Sequence, residues 1–432
     1  MRMAALYPTP EARPSARAQA VKVLLMVAGV VLVLWVSASI GGCAREHGKY
    51  TSEGIQKATT RIEALKAATE YQMAEEAFNS ADLDKALKHC EKSIKLSDKV
   101  ARTWTLRGRI MLEKNQLQDA VSSLQKAAEI DGNFVLAHYY LGIVAERIDR
   151  KDEALDHYLK ASELDTNSAQ YVVAAAEMMI DTDQTDRAEQ YLLSKQKSFQ
   201  HTAGVQQSLG QISMMRGDYP QAEIYFNEAR LLAPDEGEVL EDLARAQYLQ
   251  SKYAECDSNL TRLLKIADFA KRRDLQHMRA RCLVSLERNA EARDILVALT
   301  KDEAGTNDVE AWIALGQVAY QIRDTSRLRL AFTRVIALAP SRPEGHVLKG
   351  LHQRRMGDFT NAEVSLKKAV ELAPTAENHV LLGLTQERLG KGQLARASFK
   401  SALDADPKDP IARQLVDSPR AAALMAGVPE GQ

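Results

Sequence analysis

The chain has 432 residues and a net charge of −1, with 45% apolar and 27% charged residues. That balance is too apolar and too neutral for a disordered chain, and it removes any general electrostatic reason to bind nucleic acid. Four cysteines are too few for a disulfide scaffold. Beyond residue 50, runs of Val, Ile and Thr are scarce and Ala, Leu, Glu, Lys and Gln dominate, which favours helix.

Residues 1–22 hold Arg2, Arg13, Arg17 and Lys22 against one acid, Glu11, and no charged residue follows from Val23 to Ala44. A basic stretch followed by an apolar one reads as a secretory signal. The apolar run is also long enough for an uncleaved membrane helix. Both readings leave the basic end in the cytoplasm and the body of the chain outside. The run closes in Ile40-Gly41-Gly42-Cys43. This resembles the lipobox of bacterial lipoproteins, in which a branched aliphatic and two small residues precede the cysteine. The resemblance implies a signal peptide over 1–43, acyl chains on Cys43, and attachment on the periplasmic side of a bacterial envelope. Ala44, standing where an Asp would suggest inner-membrane retention, leans towards the outer membrane. Residues 44–66 read as a tether and a capping helix, the latter on the amphipathic stretch Ile55 to Leu65.

From 67 to 409 the chain repeats. Ala86, Ala120, Ala154, Ala188, Ala222 and Cys256 are each 34 residues apart, and Ala74, Gly108, Gly142, Ala176, Gly210 and Ala244 run in step twelve residues earlier. Bulky residues follow four positions after the first series, among them Leu124, Tyr158, Leu192, Phe226, Leu260, Leu366 and Phe399. Pro234, Pro340, Pro374 and Pro407 close four units. Trp312-Ile313-Ala314-Leu315-Gly316, and Gly217-Asp218-Tyr219 followed by Ala222, Phe226, Ala229 and Pro234, resemble the tetratricopeptide repeat (TPR). About ten units then start near residues 67, 101, 135, 169, 203, 237, 273, 309, 343 and 376. The resemblance implies an all-α, right-handed superhelical solenoid of helix-turn-helix repeats.

Within a unit, the small residue at position 8 is expected to face the small residue at position 20, and the bulky residue at position 24 to fill space towards the neighbouring repeat. Leu328 replaces a small residue in the eighth unit and should splay that hairpin. Two units are 36 residues long, with slack near Lys271-Arg272 and Asn307-Asp308, implying a bend or a longer helix. Residues 410–432 read as a C-terminal cap remnant and a flexible tail.

The chain contains no phosphate loop, HExxH, paired CxxC or Gly-x-Ser-x-Gly. This predicts no enzyme, no metal site, no cofactor and no small-molecule substrate. Cys90 and Cys256 fall at core positions. A Cys256–Cys282 disulfide stays open, because the two lie on successive helices. Asp235, Glu236, Glu238, Glu241 and Asp242 suit a helix N-terminus, and Lys271, Arg272 and Arg273 the end of a helix.

In TPR arrays, positions 2, 5, 9, 12 and 13 line the concave face. Carried over by position, this implies a partner-binding groove with Tyr71, Phe78, Tyr139, Ile143, Met214, Met215 and Tyr248 towards its N-terminal half. Arg281, Arg354, Arg355 and Arg388 stand towards its C-terminal half, where arginines suit carboxylates. The expected protein is a membrane-anchored, non-enzymatic protein-interaction scaffold, serving exopolysaccharide export, secretion or pilus assembly. The alternative is a surface that guides an acidic polysaccharide with the same aromatics and arginines.

Overall fold

The computed structural model describes residues 49–301 and 303–417. The expected signal segment, the lipidation site Cys43 and the tail 418–432 lie outside the described residues. No helix among the described residues is long and apolar enough to cross a membrane.

Among the described residues there are 22 helices and no strand. Helix α1 (Lys49–Asn79) pairs with α2 (Leu83–Leu96); α3 (Ala101–Glu113) and α4 (Leu117–Ile130) come next, and α5 (Val135–Arg147) pairs with α6 (Lys151–Leu164). There follow α7 (Ala169–Asp181) with α8 (Thr185–Phe199), α9 (Ala203–Met215) with α10 (Tyr219–Leu232), and α11 (Gly237–Leu249) with α12 (Tyr253–Leu263). Next come α13 (Arg273–Ser285) with α14 (Asn289–Leu299), a single-turn α15 (Glu303–Thr306), and α16 (Val309–Gln321) with α17 (Thr325–Leu338). The array ends with α18 (Pro343–Arg355) and α19 (Phe359–Leu372), α20 (Ala376–Arg388) and α21 (Gly392–Ala405), and a last short α22 (Pro410–Asp417). The fold is an all-α solenoid of helix-turn-helix repeats. It divides into two compact units between Ile110 and Met111.

Every hairpin turns in the same way. One residue per turn is left-handed: Ala81, Asn115, Asp149, Asp183, Gly217, Ser251, Glu287, Arg323, Gly357 and Gly390, with φ from 57° to 81°. The next amide reaches back to a carbonyl five residues earlier, from Asp82 to Ala77 through to Lys391 to Gln386, at 2.8–2.9 Å. This is the Schellman closure, which satisfies carbonyls left over at a helix end. Asp82, Asp218, Asp324 and Asp358 then cap the second helices by accepting a backbone N–H three residues on. Pro234, Pro340, Pro374 and Pro407 stand just past the ends of α10, α17, α19 and α21, where a missing N–H costs nothing.

The packing differs from the expectation in one general respect. A Cβ at Gly142 would lie 2.4 Å from the Tyr158 ring, and one at Gly210 or Gly383 would lie 2.4 Å from Phe226 or Phe399. The bulky residue at position 24 therefore covers position 8 of its own hairpin, rather than filling space towards the next repeat. The small residue exists to admit that side chain. The eighth hairpin is the exception: a Cβ on Gly316 would sit 2.5 Å from Leu348 Cδ1, contributed by the following repeat, and 3.2 Å from the Ala331 methyl. Leu328 is fully buried there, so the hairpin accommodates the large residue by a different pairing.

Three local expectations are corrected. Helix α1 is continuous from Lys49 to Asn79, and residues 51–66 are exposed. This stretch is an overhanging extension of the first repeat's first helix and not a separate capping helix; residues 44–48 of the expected tether lie outside the described residues. The two long units contain no longer helix. Their second helices, α12 and α14, are shortened to 11 residues, against 14 in most others. The extra residues go into 264–272 and 300–308. Lys271, Arg272 and Arg273 precede and open α13 instead of ending a helix. Their charge is answered by carboxylates: Arg272 donates to Glu241 and Asp274, and Arg273 to Asp308 at 2.7 Å.

Candidate partner-binding groove

The first helices of successive repeats touch one another in the second unit: α7 packs on α9, α9 on α11, and α16 on α18. No pair of second helices does so to the same extent among the described residues. The first helices thus form the inner wall of this unit, and the groove positions are read on them.

In the first unit, Tyr71 and Phe78 sit on α1 and are both covered by arginines of α3. The Arg102 guanidinium lies 4.7 Å over the Tyr71 ring and Arg109 lies 4.7 Å over Phe78. Tyr71 is half-buried and donates to Glu75 Oε1 at 2.9 Å. Phe78 is a core residue, packed with Ala74, Ala86, Cys90 and Ile110. Its assignment to an open groove is corrected: the arginine above it closes the ring off.

In the second unit, Tyr139 is half-buried. Its hydroxyl accepts from Gln170 Nε2 at 2.6 Å, and its ring meets Tyr140, Tyr158 and Tyr171. Ile143 packs partly beside it. Met214 rests partly buried on Phe226 and Leu243, whereas Met215 is exposed. Tyr248 is half-buried, edge-on to Tyr253 at 5.8 Å. Of these apolar groove residues, Met215 is the one that is exposed.

The same wall carries carboxylates that the sequence reading passed over. Glu146 accepts from the Tyr158 hydroxyl at 2.9 Å, and burial pushes its carboxyl up. Glu177 is pushed up to about 7, by the protein crowding around it and then by repulsion from Glu146, Asp181 and Glu238. Its residue is nonetheless exposed at the open face, so water moderates the burial part and the like charges supply the rest. Asp242 is raised first by burial, against two amide donors that favour its charged form: Gln207 at 2.9 Å and Gln211 at 3.2 Å. A usable signal existed. Glu238, Glu177, Glu146 and Asp181 occupy positions 2, 9, 12 and 13 of their repeats, the same positions that selected the aromatics. Glu238 and Asp242 had been assigned only to the helix N-terminus.

Towards the C-terminal end, the wall turns basic. Arg281 and Arg388 are exposed. Arg354 is half-buried and donates to the Leu381 carbonyl at 3.0 Å. Burial, and then the nearby Arg388 charge, pull its pKa down. Two guanidiniums therefore crowd one another, a site that an incoming carboxylate relieves. Arg355 is committed to the protein instead: it lies 4.0 Å over the Tyr320 ring and donates to the Tyr320 carbonyl at 2.6 Å.

Residues 101–134 and 347–410 match models of the tetratricopeptide repeat. With the repeated hairpins and their common turn, this makes the chain a tetratricopeptide-repeat protein. Among solved structures it is similar to one of Pseudomonas aeruginosa pilF, at 20% identity over 50% of this chain and 96% of that one, with a TM-score of 0.43. It is also similar to PilW, described as a widely conserved type IV pilus biogenesis factor, at 18% identity over 49% and 96% of the two chains and a TM-score of 0.43. A third similar structure is YrrB, described as a TPR protein with an unusual peptide-binding site, at 17% identity over 44% and 95% and a TM-score of 0.35. These likenesses are too distant to carry an argument about this chain's partner. No curated protein matches the chain in sequence.

Proposed function

We propose that the chain is a non-enzymatic scaffold that holds an extended segment of a partner protein along the inner wall of its second unit. The observation that supports this is the segregation of charge on one wall. Glu146, Glu177, Asp181 and Glu238 form an acidic stretch over the third to sixth repeats, and Arg354 and Arg388 form a basic one in the ninth and tenth. A partner segment carrying basic and acidic residues in the matching order would complement both. Charges arranged in this way set register and direction more than raw affinity.

The proposal extends to location. Ile40-Gly41-Gly42-Cys43 supports a lipid anchor at Cys43, on the periplasmic side of a bacterial envelope; an uncleaved N-terminal helix is the other form of anchor. Confinement to a membrane raises the effective concentration of the complex without new contacts. The resemblance to lipid-anchored repeat proteins points to assembly of an export, secretion or pilus system.

Two fluorescent probes test the wall: a Lys-rich peptide and a Glu-rich peptide. Both are expected to bind at once. Glu177→Gln with Glu238→Gln should weaken the Lys-rich peptide alone, and Arg388→Glu the Glu-rich peptide alone, each by about tenfold at low salt. Failure of either variant to discriminate between the probes would sink the reading. Binding of an acidic polysaccharide with no binding of either peptide would replace it with a polymer-guiding surface.

A further inference from the structure

We propose that Cys256 and Cys282 form an intramolecular disulfide that staples the sixth repeat to the seventh. Cys256 lies on α12 and Cys282 on α13. Their sulfurs stand 3.3 Å apart, so closing to bonding distance takes a displacement of little more than an ångström. Both residues are fully buried, in a cluster with Leu240, Ala244, Leu260 and Leu275.

The location gives the bond a purpose. A solenoid is held by the interfaces between neighbouring repeats. This junction has the shortened α12 and then residues 264–272, a longer non-helical link than the three or four residues that join helices at most other places in the second unit. The same junction carries an ionic clamp: Asp257, adjacent to Cys256, accepts from Arg279 Nε at 2.8 Å and from Arg288 Nη1 at 2.6 Å. A covalent link beside that clamp would offset the slack. Cys90 provides a contrast within the chain, since its sulfur bonds to the Thr103 carbonyl at 3.3 Å.

The oxidant is a disulfide, R–S–S–R, either a small molecule or a thiol–disulfide oxidoreductase. One cysteine thiolate attacks an oxidant sulfur and expels R–S⁻. The second cysteine then displaces the other R–S⁻ from the mixed disulfide. Two protein thiols become one disulfide, and the oxidant leaves as two R–SH. Both thiols are fully buried in the packed chain, out of reach of an external oxidant. Oxidation therefore proceeds before α13 has packed or during opening at 264–272, and the finished bond is shielded from reductants.

The test is made on the full chain, incubated in a mixture of oxidised and reduced glutathione, then denatured, alkylated and mapped by mass. A crosslinked peptide pair containing Cys256 and Cys282, lighter by two hydrogens than its reduced form, is expected, with Cys90 fully alkylated. Reductant should lower the unfolding midpoint of the natural chain and leave that of Cys256→Ser/Cys282→Ser unmoved. Two free thiols after oxidation, or glutathione retained on either cysteine, would overturn the proposal. If the double variant fails to fold, the peptide map of the natural chain decides alone.

Discussion

Position 8 of each repeat shows how a single atom decides packing. A methyl on Gly142 would overlap the Tyr158 ring, and that ring is held by burial and by its bond to Glu146. Alanine improves helix propensity by up to about 1 kcal/mol, but overpacking costs about 1–3 kcal/mol. Gly142→Ala is therefore expected to lower the denaturation midpoint, with a net loss of stability of up to about 2 kcal/mol if the full propensity gain is realised. Glu177 offers the corresponding electrostatic case. Its carboxyl is raised from 4.5 to about 7, so the folded chain holds this proton more tightly than the unfolded one. The stabilisation is complete below the unfolded value and is lost as pH rises through about 7. Glu177→Gln should raise the urea midpoint at about pH 8 and leave it nearly unchanged at about pH 4. Because the residue is exposed, the gain is expected to be a fraction of the full linkage value. Equal midpoints at about pH 8 would show that the like charges are screened.

At the scale of the helical hairpin, one left-handed residue per turn recurs through ten repeats, yet only three of those positions are glycine. A residue with a Cβ is strained in that conformation by about 1–2 kcal/mol. Glu287 is exposed, with φ at 59°. Glu287→Gly is expected to stabilise the chain by about 1 kcal/mol, after allowing for the extra freedom of glycine in the unfolded state. Chemical denaturation measures this directly, and a fall in midpoint would mean that the Glu287 side chain has a stabilising contact. The shortened α12 and α14 show a further property of the element. A repeat two residues too long sheds a helical turn into the linker, because the hairpin turn and the core positions are held by packing on both sides.

For the molecule as a whole, the proposed anchor and the proposed charged wall would divide the work. The mature protein taken from its own membranes is expected to have the mass of a chain that begins at Cys43 and carries acyl groups, and Cys43→Ala should abolish processing. An unprocessed mass retaining residues 1–42 would identify an uncleaved membrane helix instead. Under this proposal either anchor would present the repeats to one side of a membrane, and partner choice would then rest on the wall. Partner binding through exposed charges is expected to weaken by about tenfold or more between low salt and about 1 M salt.

The order and number of the repeats were legible in the sequence, because small residues at a period of 34 are demanded by close helix packing wherever they occur. The prolines that close four second helices were legible for the same reason: they act locally. Three kinds of feature were decided only by tertiary structure. The partner of Gly142 is Tyr158, sixteen residues away, and periodicity cannot tell whether a bulky residue points into its own hairpin or the next. Groove membership was only half legible. Repeat position placed Tyr71 and Phe78 on the right helix, but the arginines that cover them come from the following repeat, and burial is a property of the assembled stack. The acidic stretch was written in the same positions, while its raised carboxyl at Glu177 arises from burial and then from charges on three different helices. The Cys256–Cys282 approach is of this kind too: spacing put the two on successive helices, and only the packing of α13 against α12 brings their sulfurs into contact.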